Sequence, residues 1–525
     1  MRTVAALTNN LTRGVQFSPS SINALSQELF RLLTSIEEFS GNGGYVVLNQ
    51  VLKLLAVTDG GTYCLLFIGL YAVGTAYASA VMYLHVAYIC AALKSRSRKS
   101  RKSLSRYPKV TIQIPVKSEP LDIIERILRL CARLRYPRDK LEVLVVSDDG
   151  PEYAAEIERL VRRISRETGL VAKFLRRPYR RGFKAGALNF ATRYSSGEIV
   201  AVFDVDSVFG EDFLEKTVPY LLDGYDAVVT RWCAGNRDLT PTSRAVALAF
   251  DVIAECIQKG RAELFGTAAL IGSGCLVKKS VLERLGGWCE DCIAEDGDLG
   301  LRILLSGGKL KFVDEARVYV DVPYDYGSFK KQQTRWIYGS VEILRRHAAK
   351  ILTCGHLSLW QKIDNLLYYG QYLSLVLNVL FLATTIAMIL AGVPYTVLFL
   401  AIQTPFIAAF CTYLAKLSVL LKKMGYGLRD SLPCLGRASA MGVAISLPGL
   451  VAFLRALLKL DYYWEVTPKK PKSTGVRPRN LQELAFGLAL AAFGVVALET
   501  GYPLPALYLL VNSSPFIYVA LRRNI

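Results

Sequence analysis

Residues 62–92, TYCLLFIGLYAVGTAYASAVMYLHVAYICAA, contain no Asp, Glu, Lys or Arg. A helix of roughly 20 apolar residues crosses a bilayer, so this run predicts a membrane span and constrains everything on either side of it. Lys94, Arg96, Arg98, Lys99, Arg101 and Lys102 follow at once, and a basic cluster of this kind stays on the cytosolic face. Residues 95–355 are therefore expected in the cytosol. Residues 1–61 are expected outside, with the amphipathic stretch 21–38 lying on the outer surface.

From about residue 358 the chain becomes apolar again, with candidate spans near 366–391, 396–418, 482–499 and 502–520. Residues 431–460 are long enough to cross but are flanked by Lys422 and Lys423 on one side and Lys459, Lys469, Lys470 and Lys472 on the other. Basic flanks at both ends predict an interfacial or re-entrant helix pair, broken at Pro448-Gly449. Five crossings then leave Arg522 and Arg523 inside. Composition agrees: hydrophobic residues make up 52%, and 64 Lys plus Arg against 44 Asp plus Glu give a formal charge of +20. The basic residues sit beside apolar runs rather than along one polar domain, which points to a membrane and away from nucleic acid. The amino end, MRTVAALTNNLTRG, lacks the apolar core of a signal peptide and is expected to stay on the protein. Of the 11 cysteines, several, such as Cys64, Cys90 and Cys411, lie in apolar stretches and read as buried small side chains. Cys289 and Cys292 form one CxxC, with no second pair or histidine near enough in sequence to complete a zinc site.

The middle of the chain alternates strands with helical patterns: KVTIQIPV, a helix near 121–134, LEVLVVS, a helix near 152–167, VAKFL, a helix near 184–195, and EIVAVFD. Such alternation predicts βαβ units and a mostly parallel sheet with its sites at the carboxyl ends of strands. Acids stand at those ends. In FDVDS, Asp204 and Asp206 share a face of an extended chain and can hold a divalent cation against a diphosphate. SDDG offers Asp148 or Asp149 to a base ring, or is simply a turn, and IPVKSEP ends with Glu119. YRRGFKAGALN sets Arg180, Arg181 and Lys184 before a helix start, which suits a metal-bridged diphosphate or a solvated charge run.

IAEDGDLGLRI supplies Glu295, Asp296 and Asp298. A helix starting near 295 puts Asp298 one turn before Arg302, a structural pairing. Asp296 is the candidate general base, with neighbouring carboxylates expected to push its pKa upward. The three histidines, His85, His347 and His356, fall outside these motifs.

In order, SDDG, FDVDS, AED and QQTRW resemble the D, DxD, (T)ED and QxxRW series of the processive family 2 glycosyltransferases, the cellulose synthase and hyaluronan synthase group, over roughly residues 110–340. IGSGCLVKKSVLERLGGW at 271–288 looks like that group's acceptor-lining segment, with Ser273 and Cys275. WEVTPKK at 464–470 is similar to the FxVTxK gating loop, with Trp464 in place of Phe, then Thr467 and Lys469. The resemblance implies a cytosolic α/β GT-A domain joined to a helical membrane domain, in a multi-pass protein of the plasma membrane. It implies that Asp148 or Asp149 contacts the base, and that Asp204 and Asp206 bind the diphosphate with Mg²⁺ or Mn²⁺ near Glu119, Lys184 and Arg335. Asp296, beside Glu295, would deprotonate the acceptor hydroxyl, and Gln332, Arg335 and Trp336 would floor the site. There the guanidinium can hold departing diphosphate, and the indole can carry the apolar face of a sugar.

A nucleotide sugar, most simply a UDP-sugar, would donate to a growing β-linked polysaccharide. Two departures qualify the match. Ala294 replaces the usual Thr, and one span precedes the catalytic domain, a layout more like glucomannan synthases and ceramide glucosyltransferases. A lipid acceptor is thus the alternative, and a transporter or receptor that only binds nucleotide sugar is a reading from another class.

Overall fold

A computed structural model describes residues 60–95, 104, 106–390, 397–462 and 480–522. The stretch 21–38, most of the basic cluster after Lys94, Arg523, and Trp464, Thr467 and Lys469 lie outside the described residues. The described residues divide into two compact units, one within 79–376 and 408–462, the other within 60–78, 377–407 and 480–522.

In chain order the elements begin with α1 (Gly60–Lys94), β1 (Val110–Val116), α2 (Leu121–Ala132), β2 (Leu141–Ser147), α3 (Pro151–Thr168), β3 (Val171–Arg176), α4 (Phe183–Tyr194), β4 (Ile199–Val202) and β5 (Val208–Phe209). There follow α5 (Phe213–Leu222), β6 (Ala227–Ala234) and α6 (Pro241–Val252), which runs through a π-helical segment, Ile253–Lys259, into α7 (Gly260–Phe265). β7 (Cys275–Lys278), α8 (Lys279–Arg284), α9 (Glu295–Leu305), β8 (Leu310–Val320), α10 (Tyr326–Thr353) and α11 (Leu359–Gly370) complete the α/β part. The remaining helices are α12 (Leu373–Leu390), α13 (Val397–Lys423), α14 (Leu428–Ala444), α15 (Ser446–Leu457), α16 (Leu481–Glu499) and α17 (Pro503–Leu521).

In the first unit the strands form one eight-stranded sheet in the order β3-β2-β1-β4-β7-β6-β8-β5. The pairs β2·β3, β1·β2, β1·β4 and β6·β8 are parallel, and β7 inserts antiparallel between β4 and β6. β2 and β4 are buried along their whole length. That explains why LEVLVV and IVAV read as continuous apolar runs, since strands covered on both faces have no polar side to show. The helices between them are amphipathic and begin and end on local signals. α3, for example, opens with Pro151 at a position needing no amide hydrogen bond and stops at Gly169, whose φ of 69° is left-handed. Because β1, β2 and β4 run parallel, their carboxyl ends emerge side by side.

Also in this unit, α14 and α15 meet at a 49° bend. The break falls at Ile445 and not at Pro448-Gly449, because Pro448 is the third residue of α15. In a first turn the amide has no intrahelical partner to lose. Gly449 lies against α10, where an added Cβ would come within 3.0 Å of Ile337 Cδ1. The run sequence reasoning placed at 366–391 is two helices, α11 and α12, parted at Gln371–Tyr372.

In the second unit, α16 and α17 pack through Gly487 and Gly494. A Cβ on them would approach Ile517 Cγ1 to 2.9 Å and Leu510 Cγ to 2.8 Å, so small residues one heptad apart let the backbones close. Asn378 caps this apolar packing with polar contacts, accepting from Tyr508 Oη at 3.1 Å and donating to Asn512 Oδ1 at 3.4 Å. Among the described residues, five helices are long and apolar enough to cross a membrane, or six if the bent pair counts as one span.

Candidate active site

A cavity of about 310 Å³ opens at the carboxyl ends of β1, β2 and β4 and is closed by α9 and α10. Asp148, Lys184, Asp204, Asp206, Glu295, Asp296, Gln332, Arg335 and Trp336 all line it, together with Glu119 and Arg180. Six separate sequence motifs thus converge on one space.

At the end of β2 the two aspartates divide. Asp149 is buried and faces inward, accepting from the Ser118 amide at 2.8 Å and from Ser147 Oγ at 2.9 Å. It holds Ser118 in a left-handed conformation, φ 56°, and so sets the turn after β1. Asp148 reaches the cavity wall instead, gripped by the buried guanidinium of Arg177 through both carboxylate oxygens. Arg177 also donates to the carbonyls of Arg181, at 2.7 Å, and Phe183, at 3.0 Å. The same group therefore ties the basic loop to the base-side acid. Nothing local in the sequence singles out Arg177, which sits in a run of arginines, RRPYRR.

That loop turns into α4 at Gly182, whose φ is 68°. Lys184 points from the first turn into the cavity, 2.6 Å from Asp204 Oδ1, 2.8 Å from the Gly272 carbonyl and 3.8 Å from Glu295 Oε1. Burial works against its charge, but Asp204 and Glu295 outweigh it and the ammonium titrates above the ordinary lysine range. Asp204 and Asp206 are half-buried at the open end of β4. The Asp204 amide donates to Ser273 Oγ at 3.0 Å, which fixes the carboxylate's direction. Two hard oxygen donors at an open strand end fit Mg²⁺ or Mn²⁺, cations usually held by one or two carboxylates plus substrate phosphates.

Ser273 and Cys275 do not reach the cavity. Ser273 is fully buried, bonded to Ser207 Oγ at 2.6 Å, and Cys275 is a core residue of β7 paired with Val202. The antiparallel register of β7 on β4 turns both into the sheet, and only Gly272 of that segment lines the space. There a Cβ would sit 3.0 Å from Asp296 Oδ2 and from Lys184 Nζ.

α9 begins at Glu295 with no side-chain cap from Ala294. Ala294 packs instead on Gly339 of α10, where an added Cβ would come within 2.6 Å of its own. Asp296 Oδ1 takes the Gly297 amide at 2.7 Å, so the acid supplies part of the cap itself. Burial, more than the neighbouring carboxylates expected from sequence, pushes both acids up. Glu295 rises to about 7, with Lys184 opposing and Asp296 adding. Asp296 rises as well, with Lys184 and the Gly297 amide opposing. Asp298 goes the other way. It pairs with Arg302 Nε at 2.6 Å, as its spacing predicts, and with His347 Nε2 at 2.7 Å. Burial would raise it, yet those partners hold it below the usual carboxylate range.

On α10, Gln332, Arg335 and Trp336 recur at three- and four-residue spacing and so share one face. Gln332 Oε1 is buried without a hydrogen-bond partner among the described residues. Such an atom costs free energy unless a ligand or water meets it. Trp336 stacks on Phe250 (centroids 6.2 Å, planes 29° apart), and Phe250 on Trp232 (6.1 Å, 19°). The indole of Trp232 is fixed by donation to the Ser273 carbonyl at 2.7 Å. This row of three rings, two of them distant in sequence from QQTRW, was invisible before folding. Tyr338 donates to the Leu460 carbonyl at 3.0 Å, so the described chain at 460–462 reaches α10 beside this face.

The model for glycosyl transferase family 2 matches residues 111–286, and that for glycosyl transferase family group 2 matches residues 199–414. A probable glycosyltransferase of Sulfolobus acidocaldarius is 26% identical over 449 residues, covering 84% of this chain and 95% of the relative. Glucomannan 4-β-mannosyltransferase 7 of Arabidopsis thaliana is 28% identical over 433 residues, 79% and 76% of the two chains. Among solved structures, the mannosyltransferase PcManGT from Pyrobaculum calidifontis, in complex with GDP-Man and Mn²⁺, superposes with a TM-score of 0.51 at 23% identity. It covers 75% of this chain and 100% of its own. That likeness establishes a GT-A-like fold.

Proposed function

Because this chain carries a family 2 glycosyltransferase domain and is a nucleotide-sugar glycosyltransferase, we propose that it is membrane-embedded and extends a β-linked polysaccharide with inversion at the transferred carbon. The observation that carries this reading is the single cavity joining Asp148, Asp204, Asp206, Asp296, Arg335 and Trp336. The five apolar helices support a membrane location, and the basic residues after α1 favour a cytosolic catalytic domain at the plasma membrane.

Asp148 accepts a hydrogen bond from the nucleotide base while Arg177, bonded to both of its oxygens, keeps it aimed. Asp204 and Asp206 would hold Mg²⁺ or Mn²⁺, which supplies positive charge against the departing diphosphate. Lys184 and Arg335, both lining the cavity, hold the phosphates. The stacked rings ending at Trp336 present a flat apolar face to the acceptor sugar, and Gln332 Oε1 accepts from one of its hydroxyls. Asp296 removes the proton of the attacking hydroxyl, and its raised pKa suits a base working near neutrality. One displacement suffices, with Asp296 acting on the acceptor hydroxyl and the diphosphate leaving. Among nucleotide sugars, the mannosyltransferase name of the Arabidopsis relative favours a mannose donor.

Purified protein in vesicles with Mg²⁺ or Mn²⁺, incubated with a panel of labelled nucleotide sugars, tests the reading. Large, mannanase- or glucanase-sensitive product supports polymer synthesis and names the donor. Label found only in organic-extractable material replaces the polymer with a lipid acceptor, and label that stays on intact nucleotide sugar removes transfer altogether.

A further inference from the structure

The segment 288–294 feeds directly into Glu295 and Asp296, and it carries two cysteines outside the cavity. Cys289 and Cys292 are joined as a disulfide, with Cα atoms 5.4 Å apart. The segment is strapped on both sides. Asn189 of α4 donates to the Trp288 carbonyl and accepts from the Trp288 amide, each at 2.8 Å, and donates to Glu290 Oε1 at 2.9 Å. Glu290 in turn packs on Gly182, the turn that launches Lys184, so closely that a Cβ there would lie 2.6 Å from its own. On the other side, Glu342 of α10 accepts from the Ile293 amide at 2.9 Å, and Arg346 donates to the Asp291 carbonyl at 2.7 Å. Ile293 and Ala294 then line the cavity. The cysteine turn is thus the shared anchor of the donor loop, the base and the helix bearing QQTRW.

We propose that Cys289–Cys292 is a thiol–disulfide site, at which exchange with an external dithiol sets the transfer rate by tightening or releasing the strap that holds Glu295 and Asp296. Cys289 is half-exposed and Cys292 buried, so attack falls on the Cys289 sulfur. Arg346 Nη1 lies 3.8 Å from that sulfur and favours its thiolate. In the reducing direction a thiolate of the external dithiol bonds to Cys289 Sγ, the Cys289–Cys292 bond breaks, and Cys292 leaves as a thiolate that takes up a proton. The second external thiolate then attacks the mixed disulfide and releases Cys289. Two electrons pass from the dithiol, which becomes a disulfide, to the cysteine pair, and two protons follow.

The effect on rate rests on Asp296 being the base, whereas the exchange itself does not. Full-length protein in detergent is equilibrated across ratios of reduced to oxidised dithiothreitol, its free thiols are alkylated and mapped by peptide mass spectrometry, and transfer is assayed in parallel. Cys289 and Cys292 should titrate together as a two-electron couple while buried Cys131 and Cys275 stay reduced throughout. On reduction kcat should fall about tenfold, the scale of a small misplacement of a reacting group, with donor KM little changed. Cys289→Ser/Cys292→Ser should be fixed at the reduced rate at every ratio.

A couple that titrates without changing kcat overturns the proposal, as does a rate change that persists in the double variant. So does a stoichiometric zinc ion lost in that variant, since Cys289, Cys292 and Asp298 place their ligand atoms within 4.8 Å of one another. Should the double variant not fold, the wild-type titration decides alone. Transfer surviving in Asp296→Asn would remove the base assignment and leave the thiol titration intact.

Discussion

Asp296 and Asp298 stand two residues apart on the first turn of α9, and burial weighs on both. One is raised and the other lowered. Asp298 meets Arg302 and His347 directly, at 2.6 and 2.7 Å, whereas Asp296 meets one backbone amide and faces the cavity with Lys184 at a distance. The difference lies in partners: a carboxylate with two cationic or donor groups becomes a structural anion, and one without them, half-buried at the cavity, becomes a base. SDDG repeats the division, with Asp148 at the cavity and Asp149 spent on the turn. An acidic motif therefore names a site without saying which acid does the chemistry.

The largest effect should separate the two acids of α9. Asp296→Asn keeps shape and removes the proton acceptor, so kcat should drop by about 10³-fold or more while nucleotide binding, followed by calorimetry, stays near wild type. Equal loss of binding and turnover would make Asp296 a donor ligand instead. Asp298→Asn should act on the fold. It takes the counter-charge from Arg302 and the carboxylate partner from His347 at a site 2% exposed, costing roughly 3 kcal/mol. A lowered melting midpoint in detergent, with kcat falling less than in Asp296→Asn, is the expected pattern; an unchanged midpoint with dead enzyme would reverse the roles.

A smaller effect tests the other pair. Asp148→Asn should raise donor KM by about tenfold through the loss of one charge-assisted hydrogen bond to the base. Asp149→Asn should instead lower thermal stability with a modest change in KM, because Ser118 and Ser147 lose their acceptor.

Much of this was legible before folding, for reasons that differ by region. Strands β1, β2 and β4 are parallel and buried on both faces, so their apolar runs and the acids after them stand out in the sequence. Asp298 was legible because its partner Arg302 is one turn away. What could not be read depends on register or on distant pairing. The antiparallel insertion of β7 turned Ser273 and Cys275 away from the cavity. Trp232 and Phe250, far upstream in the chain, joined Trp336 in one stack. His347 reached Asp298 from another helix, and burial, which no local pattern reports, replaced neighbouring charge as the main cause of the raised acids.

The smallest effect sharpens that last point. Since Asp296 works as a base only when ionised, turnover should rise with pH through its raised pKa, giving an acid limb well above the ordinary carboxylate range. Glu295 titrates at about 7 and is raised partly by Asp296, so the two release protons as a coupled pair whose limb belongs to both. Glu295→Gln removes one negative neighbour from Asp296 and leaves its burial alone. If burial dominates, the limb should move to lower pH by well under one unit. A move of two units or more would give the leading part back to carboxylate repulsion, and the buried floor of α9 would then be a consequence of packing with little hand in making the base.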